Sequence, residues 1–214
     1  MAEIDFLIDG IEAADTPTFL FAHGAGATME APFMGMVAEG LAARGIRVAR
    51  FEFDYMAARR RGGPKRPPPK VEMLQQEYHA AVAALRCDGP FVIGGKSMGG
   101  RVASLIANDL RAAGAIDGLL CLGYPFHPQG KPEKLRTAHL AELTVATLIC
   151  QGTRDPFGTK EEVAGYDLSE EIELLWVEDG DHDLKPRKRV TGLDHAAQLE
   201  RVCDVAAAWI RQRR

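Results

Sequence analysis

Ser97 lies in the stretch of this chain whose residue types and spacing most favour nucleophilic chemistry. Residues 94–99 read Gly-Gly-Lys-Ser-Met-Gly, which fits the pattern G-x-S-x-G. A short apolar run precedes the pattern, and a helical pattern begins directly after it. In a nucleophile elbow the serine lies on a tight turn between a strand and a helix, and Gly95 and Gly99 leave room for that turn. The segment therefore predicts Ser97 as a nucleophile.

A serine hydroxyl is a poor nucleophile at neutral pH, so it requires a base that an acid orients. Asp155 follows the apolar run 146–151 and precedes a proline, which suits a fixed acceptor. His182 follows the run 172–177 and precedes the last helical pattern. Serine, acid and histidine in this order are one known arrangement of such triads. The sequence predicts Asp155 as the acid and His182 as the base.

Each partner has a competing interpretation. An aspartate in a turn often bonds only its own backbone, which is the alternative for Asp155. His195 is the alternative base, but it opens the final helix, so His182 is preferred. Asp181 and Asp183 flank His182 and could be metal ligands, but no second ligand cluster appears in the sequence. We expect a solvated acidic turn there, no metal site and no cofactor.

Attack on an acyl group creates an oxyanion, which requires preorganised backbone donors. One donor should be the N–H of Met98, the residue after the nucleophile. The second should come from the loop 23–27, which reads His-Gly-Ala-Gly-Ala and is small enough for close approach of a substrate. Ala25 is the preferred donor, and Gly26 is the next choice. His23 is expected to be a structural histidine bonded within the loop.

Three further positions are candidates for substrate binding. Gly26 belongs to the small-residue loop, and Lys96 flanks the elbow, as does Arg101. The two cations would suit a carboxylated substrate, although such residues are also common as structural or surface ions. Phe126 follows the end of another predicted strand and is expected to line the acyl pocket.

Apolar, β-rich runs alternate with helical patterns along the chain. The predicted strands are residues 6–8, 18–22, 46–51, 91–93, 118–122, 146–151 and 172–177. The predicted helices are residues 30–44, 71–86, 98–113, 160–165 and 194–211. This alternation predicts an α/β fold with a mostly parallel central sheet and helices on both faces. Sites in such sheets lie at the carboxyl ends of the strands, where each candidate residue follows a strand.

One segment, residues 59–70, is basic and rich in proline and glycine, so we expect no regular structure there. Two interpretations stay open. The segment is either an exposed loop with solvated charge or a contact for an anionic ligand or a partner near the mouth of the site.

Length and composition indicate one domain spanning residues 1–214, with 46% hydrophobic and 26% charged residues. The formal net charge of -4 favours neither a nucleic acid nor a membrane as partner, and no apolar run approaches the length of a transmembrane helix. The N-terminus has no signal-peptide pattern. Four scattered cysteines indicate a reduced, cytoplasmic protein. A homodimer stays open.

Together these motifs resemble the α/β-hydrolase superfamily, and within it the small, lidless branch near the dienelactone hydrolases. The nearest likeness is a group of short bacterial hydrolases related to a subunit of an animal histone-acetyltransferase complex. The matching pieces are residues 23–26, 51–56, 94–101, 123–126, 151–155 and 180–182. The resemblance implies an α/β-hydrolase fold without a cap domain and Ser97, His182 and Asp155 as the triad. True dienelactone hydrolases carry cysteine at the position of Ser97.

The sequence therefore predicts a serine hydrolase of the carboxylesterase or thioesterase type, acting on small acyl esters or thioesters through an acyl-enzyme. The alternative from another class is a non-catalytic protein-interaction module on a hydrolase fold, since a fold does not determine a function.

Overall fold

A seven-stranded sheet forms the centre of the computed structural model, which describes residues 4–213. The strands are β1 (Phe6–Asp9), β2 (Thr18–Ala22), β3 (Arg47–Phe51), β4 (Phe91–Lys96), β5 (Gly118–Leu122), β6 (Thr147–Gly152) and β7 (Ile172–Val177). Their order across the sheet is β1-β3-β2-β4-β5-β6-β7. Strand β1 pairs antiparallel with β3, and all other pairs are parallel. The predicted α/β class and mostly parallel sheet are confirmed.

Helices cover both faces of the sheet. They are α1 (Pro32–Ala42), α2 (Asp54–Arg60), α3 (Val71–Ala84), α4 (Met98–Ala112), α5 (Lys160–Val163), α6 (Lys188–Thr191) and α7 (His195–Arg211), with a 3-10 turn at Ala138–Leu140. The connection between β5 and β6 holds only that turn, so no cap domain is present in residues 4–213. None of the helices in that part of the chain is both long and apolar enough to span a bilayer.

Helix α2 corrects one expectation, because it includes Arg59 and Arg60 of the segment expected to be irregular. No proline or glycine occurs in residues 54–61, and the negative charge of Asp54 in the first turn interacts favourably with the positive end of the helix dipole. The irregular backbone therefore begins only after the helix. Helix α6 was not predicted either; it is a single turn that ends at Gly192 in the left-handed conformation.

Five of the seven predicted apolar runs form interior strands, and the runs 6–8 and 172–177 form the two edge strands. Every residue of β2, β4, β5 and β6 is buried, as expected for strands covered on both faces. Successive side chains point to opposite faces: Leu20 packs in the core under α3 and α4, whereas Phe19 and Phe21 pack under α1 and α7. All four cysteines are free, and three of them are buried.

The carboxyl ends of the parallel strands share one edge of the sheet. Two glycines let the start of α4 approach β2 there: a Cβ on Gly95 or on Gly99 would lie 2.6 Å from the Ala22 carbonyl oxygen. The ends of β6 and β7 also touch backbone to backbone, because a Cβ on Gly152 would collide with the Gly180 carbonyl oxygen. The segments that follow β2, β4, β6 and β7 therefore converge at this edge.

Candidate active site

Ser97 lies between β4 and α4 with φ 51° and ψ -114°, a left-handed backbone that a serine rarely adopts. Its N–H donates to the Leu122 carbonyl at 3.0 Å, and its carbonyl accepts from the Arg101 N–H at 3.0 Å. Such a conformation costs of order 1–3 kcal/mol and persists only where the surrounding structure holds it. The predicted tight turn between a strand and a helix is present.

The structure brings Ser97, His182 and Asp155 into one hydrogen-bonded chain. The distance from His182 Nε2 to Ser97 Oγ is 2.8 Å, and that from His182 Nδ1 to Asp155 Oδ2 is also 2.8 Å. A carboxylate accepts but does not donate, so Nδ1 carries the proton and Nε2 is free to accept the serine hydroxyl. This tautomer is the one that a general base for Ser97 requires.

Asp155 is fully buried and bonded at both oxygens. Its Oδ1 accepts the Phe157 N–H at 2.9 Å, and its Oδ2 accepts Gln151 Nε2 at 3.0 Å in addition to the histidine. The bond from the Phe157 N–H is the local turn contact that the alternative interpretation of Asp155 expected. Asp155 makes this backbone contact and also orients His182. Sequence reasoning missed Gln151, which lies in a fully buried strand.

The loop that carries His182 is fixed by Asp179, which has a φ of 53°. Hydrogen bonds from the Arg187 side chain and N–H, together with the nearby charge of Arg154, lower the pKa of Asp179 to about 2. Asp181 accepts two N–H groups of its own turn. No group of three metal-ligating side chains occurs in the described residues.

The loop after β2 leaves the Ala25 N–H without a protein acceptor among residues 4–213. His23 Nδ1 donates to the Gly24 carbonyl at 2.7 Å, and the Ala27 N–H reaches the same oxygen at 3.3 Å. Because the peptide is planar and trans, the Ala25 N–H points away from that carbonyl. His23 Nε2 accepts the Phe53 N–H at 3.1 Å, and burial lowers the pKa of this imidazole. His23 is therefore structural, as expected.

The two expected oxyanion donors are available. Within residues 4–213, the N–H groups of Ala25 and Met98 donate to no protein atom, and both residues lie beside Ser97 in the wall of a cleft. The Tyr55 hydroxyl donates to the Ala25 carbonyl at 2.8 Å and so fixes the peptide between Ala25 and Gly26. The Met98 N–H also lies at the positive end of α4, which favours negative charge.

Ser97 opens into a cleft with two lobes. The larger lobe, of about 550 Å³, is lined by residues that include Gly24, Gly26, Phe33, Met34, Lys96 and His182. The smaller lobe, of about 360 Å³, is lined by residues that include Pro68, Pro69, Val71, Leu74, Arg101 and Arg136. Ala25, Ser97 and Phe157 line both lobes. Volumes of this order suit small ligands.

Two of the three expected substrate contacts lie in this cleft. Gly26 and Lys96 line the larger lobe. Burial lowers the pKa of Lys96, whose Nζ lies 3.2 Å from Asp183 Oδ1 and 5.4 Å from the centre of the Phe33 ring. His195, the alternative base, lines the same lobe, but its Nε2 bonds the Asp183 carbonyl at 2.8 Å and has no bond to Ser97.

The expectation for Phe126 is wrong. Its side chain is fully buried in the core, where its ring packs against Tyr124 at 5.0 Å and Tyr166 at 5.8 Å. Its position after a strand indicated the correct edge of the sheet, but a large ring there is more stable in the core than in the cleft. Pro125 and Phe157 line the cleft instead.

A second serine–histidine pair lies away from the cleft. The distance from Ser104 Oγ to His139 Nε2 is 2.8 Å, and Ser104 is 2% exposed. The hydroxyl also contacts the Arg101 carbonyl at 2.8 Å and the Tyr124 hydroxyl at 3.2 Å. Burial, and next the charge of Arg101, lower the pKa of His139 to about 4.

Residues 15–211 match the family model described as an alpha/beta hydrolase domain. The fold is similar to that of a dienelactone hydrolase from Anabaena variabilis, with 19% identity, a TM-score of 0.72 and coverage of 99% of this chain and 93% of that one. An esterase domain of a Rhodothermus marinus protein shares 14% identity, with a TM-score of 0.68 and 99% of each chain covered.

A serine hydrolase without a lid from Xanthomonas campestris shares 18% identity, with a TM-score of 0.59 and coverage of 85% of this chain and 81% of that one. At these identities the likenesses describe the fold, which is that of lidless, dienelactone-hydrolase-like proteins. The family model covers nearly the whole chain, and the protein belongs to the α/β-hydrolase family.

Proposed function

We propose that this protein is a serine hydrolase that cleaves small acyl esters or thioesters through a covalent acyl-enzyme. Membership of the α/β-hydrolase family and folds shared with esterases support hydrolysis as the class of reaction. The observation that carries the finer proposal is the continuous chain from the Asp155 carboxylate through His182 to Ser97 Oγ, which ends in an open cleft.

In the acylation step, Ser97 Oγ attacks the carbonyl carbon of the substrate while His182 Nε2 takes the hydroxyl proton. The carbonyl oxygen becomes an oxyanion, which the N–H groups of Ala25 and Met98 stabilise. His182 then donates its proton to the departing alcohol or thiol, and the acyl group stays on Ser97. Asp155 holds the imidazole in place and stabilises its positive charge.

In the deacylation step, His182 removes a proton from a water molecule, and the hydroxyl attacks the acyl carbon. The same two N–H groups stabilise the second oxyanion. Return of the proton from His182 to Ser97 Oγ releases a carboxylic acid and restores the starting enzyme. Every proton transfer uses a side chain described above, and no step requires a cofactor.

The size of the cleft supports small substrates. Its lobes of about 550 and 360 Å³ meet at Ser97, so one lobe can hold the acyl group and the other the leaving group. Pro68 and Pro69, from the segment 59–70, form part of the wall of the smaller lobe. The four free cysteines support a reducing compartment such as the cytoplasm as the site of action.

A fluorophosphonate probe tests the proposal directly, because it modifies only an activated serine. We expect mass mapping to find the probe on Ser97 and a series of p-nitrophenyl esters to show turnover of short acyl chains. Ser97→Ala should lose both, and Ser104→Ala should keep both. A folded protein with neither labelling nor turnover would instead favour the interaction-module alternative.

A further inference from the structure

Two arginines lie together in the smaller lobe. Arg101 is four residues after Ser97, one turn further along α4, and Arg136 belongs to the irregular connection between β5 and β6. Both residues are partly buried. Their charges repel each other: burial, and next the positive charge of Arg101, lower the pKa of Arg136. A pair of like charges has therefore been brought together at one end of a cavity that contains the nucleophile.

Neither guanidinium has a protein partner. Within residues 4–213, neither Arg101 nor Arg136 forms an ion pair or donates a hydrogen bond from its side chain, and Arg101 Nε is buried with no partner at all. By contrast, the partly buried Arg50 donates to both oxygens of Asp9, at 2.8 and 3.0 Å. Burying an unpaired charge is unfavourable, so a complementary anion would stabilise this arrangement.

None of the other residues that line the smaller lobe carries a negative charge that could pair with the two arginines. The other lining residues are prolines, aliphatic side chains, Phe157 and the small residues beside Ser97, and none is acidic. Apolar walls exclude water, which strengthens an ion pair formed inside. A guanidinium also matches the planar geometry of a carboxylate or a phosphate through two parallel hydrogen bonds.

We propose that Arg101 and Arg136 bind an anionic group of the substrate in the smaller lobe, so that the preferred ester or thioester carries a carboxylate or a phosphate near its scissile bond. This inference rests on the hydrolase function proposed above, and it adds the charge of the substrate. Arg101 and Arg136 bind that group, whereas Ser97 and His182 carry out the chemistry.

The test compares kcat/KM for matched charged and neutral substrates. Mono-p-nitrophenyl glutarate against its methyl ester places a carboxylate in the acyl group, and 4-acetoxybenzoate against its methyl ester places it in the leaving group. Acetyl-coenzyme A against S-acetyl-N-acetylcysteamine places phosphates in the leaving group. We expect the wild type to prefer the charged member of at least one pair by about tenfold or more.

Arg101→Gln and Arg136→Gln should each remove most of that preference, measured as the ratio of kcat/KM within the pair. Arg111→Gln is the matched control, because it lies ten residues further along the same helix, about 15 Å away, and should keep the ratio. The pair that responds identifies whether the anion is a carboxylate of the acyl group, a carboxylate of the leaving group or a phosphate.

A wild type that hydrolyses the neutral esters without any preference for charge would overturn this inference and leave the hydrolase function standing. A preference that persists in both arginine variants would also overturn it. No turnover of any ester and no labelling of Ser97 would remove the hydrolase function, and this inference with it. If one arginine variant fails to fold, the other variant still measures the loss of preference.

Discussion

Two serine–histidine pairs in residues 4–213 have the same separation, and of these the pair of Ser97 and His182 has the geometry expected of a nucleophile and its base. The oxygen-to-nitrogen distance is 2.8 Å both in the pair of Ser97 and His182 and in the pair of Ser104 and His139. The distance between the two side chains therefore does not distinguish a site of chemistry from a structural contact. The difference lies in the backbone, the third partner and access to the cleft.

The backbone differs first. Ser97 occupies a strained left-handed turn ahead of α4, which leaves its hydroxyl in the wall of both lobes of the cleft. Ser104 is an ordinary residue within α4, and its hydroxyl donates back to the Arg101 carbonyl three residues earlier. A hydroxyl that is buried and satisfied in this way lines neither lobe and cannot reach a substrate there.

The third partner differs as well. His182 donates to the buried carboxylate of Asp155, which would stabilise an imidazolium. Within residues 4–213, His139 has no carboxylate partner, and the nearby positive charge of Arg101 opposes its protonation. With its pKa lowered to about 4, His139 is a weak base at neutral pH. A pair becomes competent only when an acid and an accessible serine accompany the histidine.

The largest expected effect comes from removing the two hydroxyls in turn. Ser97→Ala should lower kcat by about 10⁶-fold, because Ser97 Oγ is the oxygen bonded to His182 Nε2 and the two side chains are proposed to act as a unit. Ser104→Ala should change kcat by less than about threefold and lower stability by about 1 kcal/mol through its lost hydrogen bonds. Steady-state kinetics and urea unfolding of both variants measure these effects; a reversed order would refute the assignment.

The second expected effect concerns the acid. Asp155→Asn should lower kcat by about 10⁴-fold, because an amide can hold His182 in the wrong tautomer. Asp155→Asn would leave His182, like His139, without a carboxylate partner. Asp183→Asn removes a neighbouring exposed carboxylate and is the matched comparison. Equal losses in both variants would mean that general negative charge matters here, and that the bond from Asp155 to His182 does not.

The third expected effect is a pH dependence of stability that belongs to His139. The imidazole has an ordinary pKa of 6.5 in the unfolded chain and about 4 in the folded protein. Between these values the unfolded state binds more protons, so stability should fall as the pH drops from about 6.5 to about 4. We expect about 1–2 kcal/mol, because solvent screens this partly exposed ring.

His139→Gln should therefore show a smaller drop in Tm between pH 7 and pH 5 than the wild type does, measured by calorimetry. His79→Gln removes an exposed imidazole and serves as the control. Equal drops in the wild type and in His139→Gln would show that burial of His139 has no influence on folding.

The smallest expected effect isolates the backbone strain at Ser97. Glycine adopts a positive φ readily, whereas alanine does not, and neither has a hydroxyl. Ser97→Gly should therefore be more stable than Ser97→Ala by about 1 kcal/mol. The corresponding pair at position 104 should show the opposite order by a similar amount, because glycine is unfavourable within a helix. Denaturant unfolding of the four variants measures both differences.

The sequence was most informative where local pattern and tertiary position coincide. Interior strands are continuous apolar runs, and the motifs follow their carboxyl ends, so the meeting of Ser97, Asp155 and His182 could be predicted. Gln151 could not, because a single polar residue in a buried strand gives no sign of its partner. Arg136 lies in irregular structure, where no periodicity indicates the direction of a side chain.

Phe126 shows the limit of reasoning from position alone. The end of a strand indicates the edge of the sheet but not the face to which each side chain turns. That choice depends on packing against Tyr124 nearby and against Gly158 and Tyr166, which lie beyond β6 and are far from Phe126 in the sequence.

The contact between Gly152 and Gly180 has a consequence for motion. It brings the segment that carries Asp155 against the segment that carries His182. A hydrogen bond from the Arg154 N–H to the Gly180 carbonyl, at 3.1 Å, stabilises this contact. Because the two segments are bonded to each other, we expect them to open together in local fluctuations. The distance from His182 to Asp155 should therefore vary less in such fluctuations than the distance from His182 to Ser97, which follows a different strand.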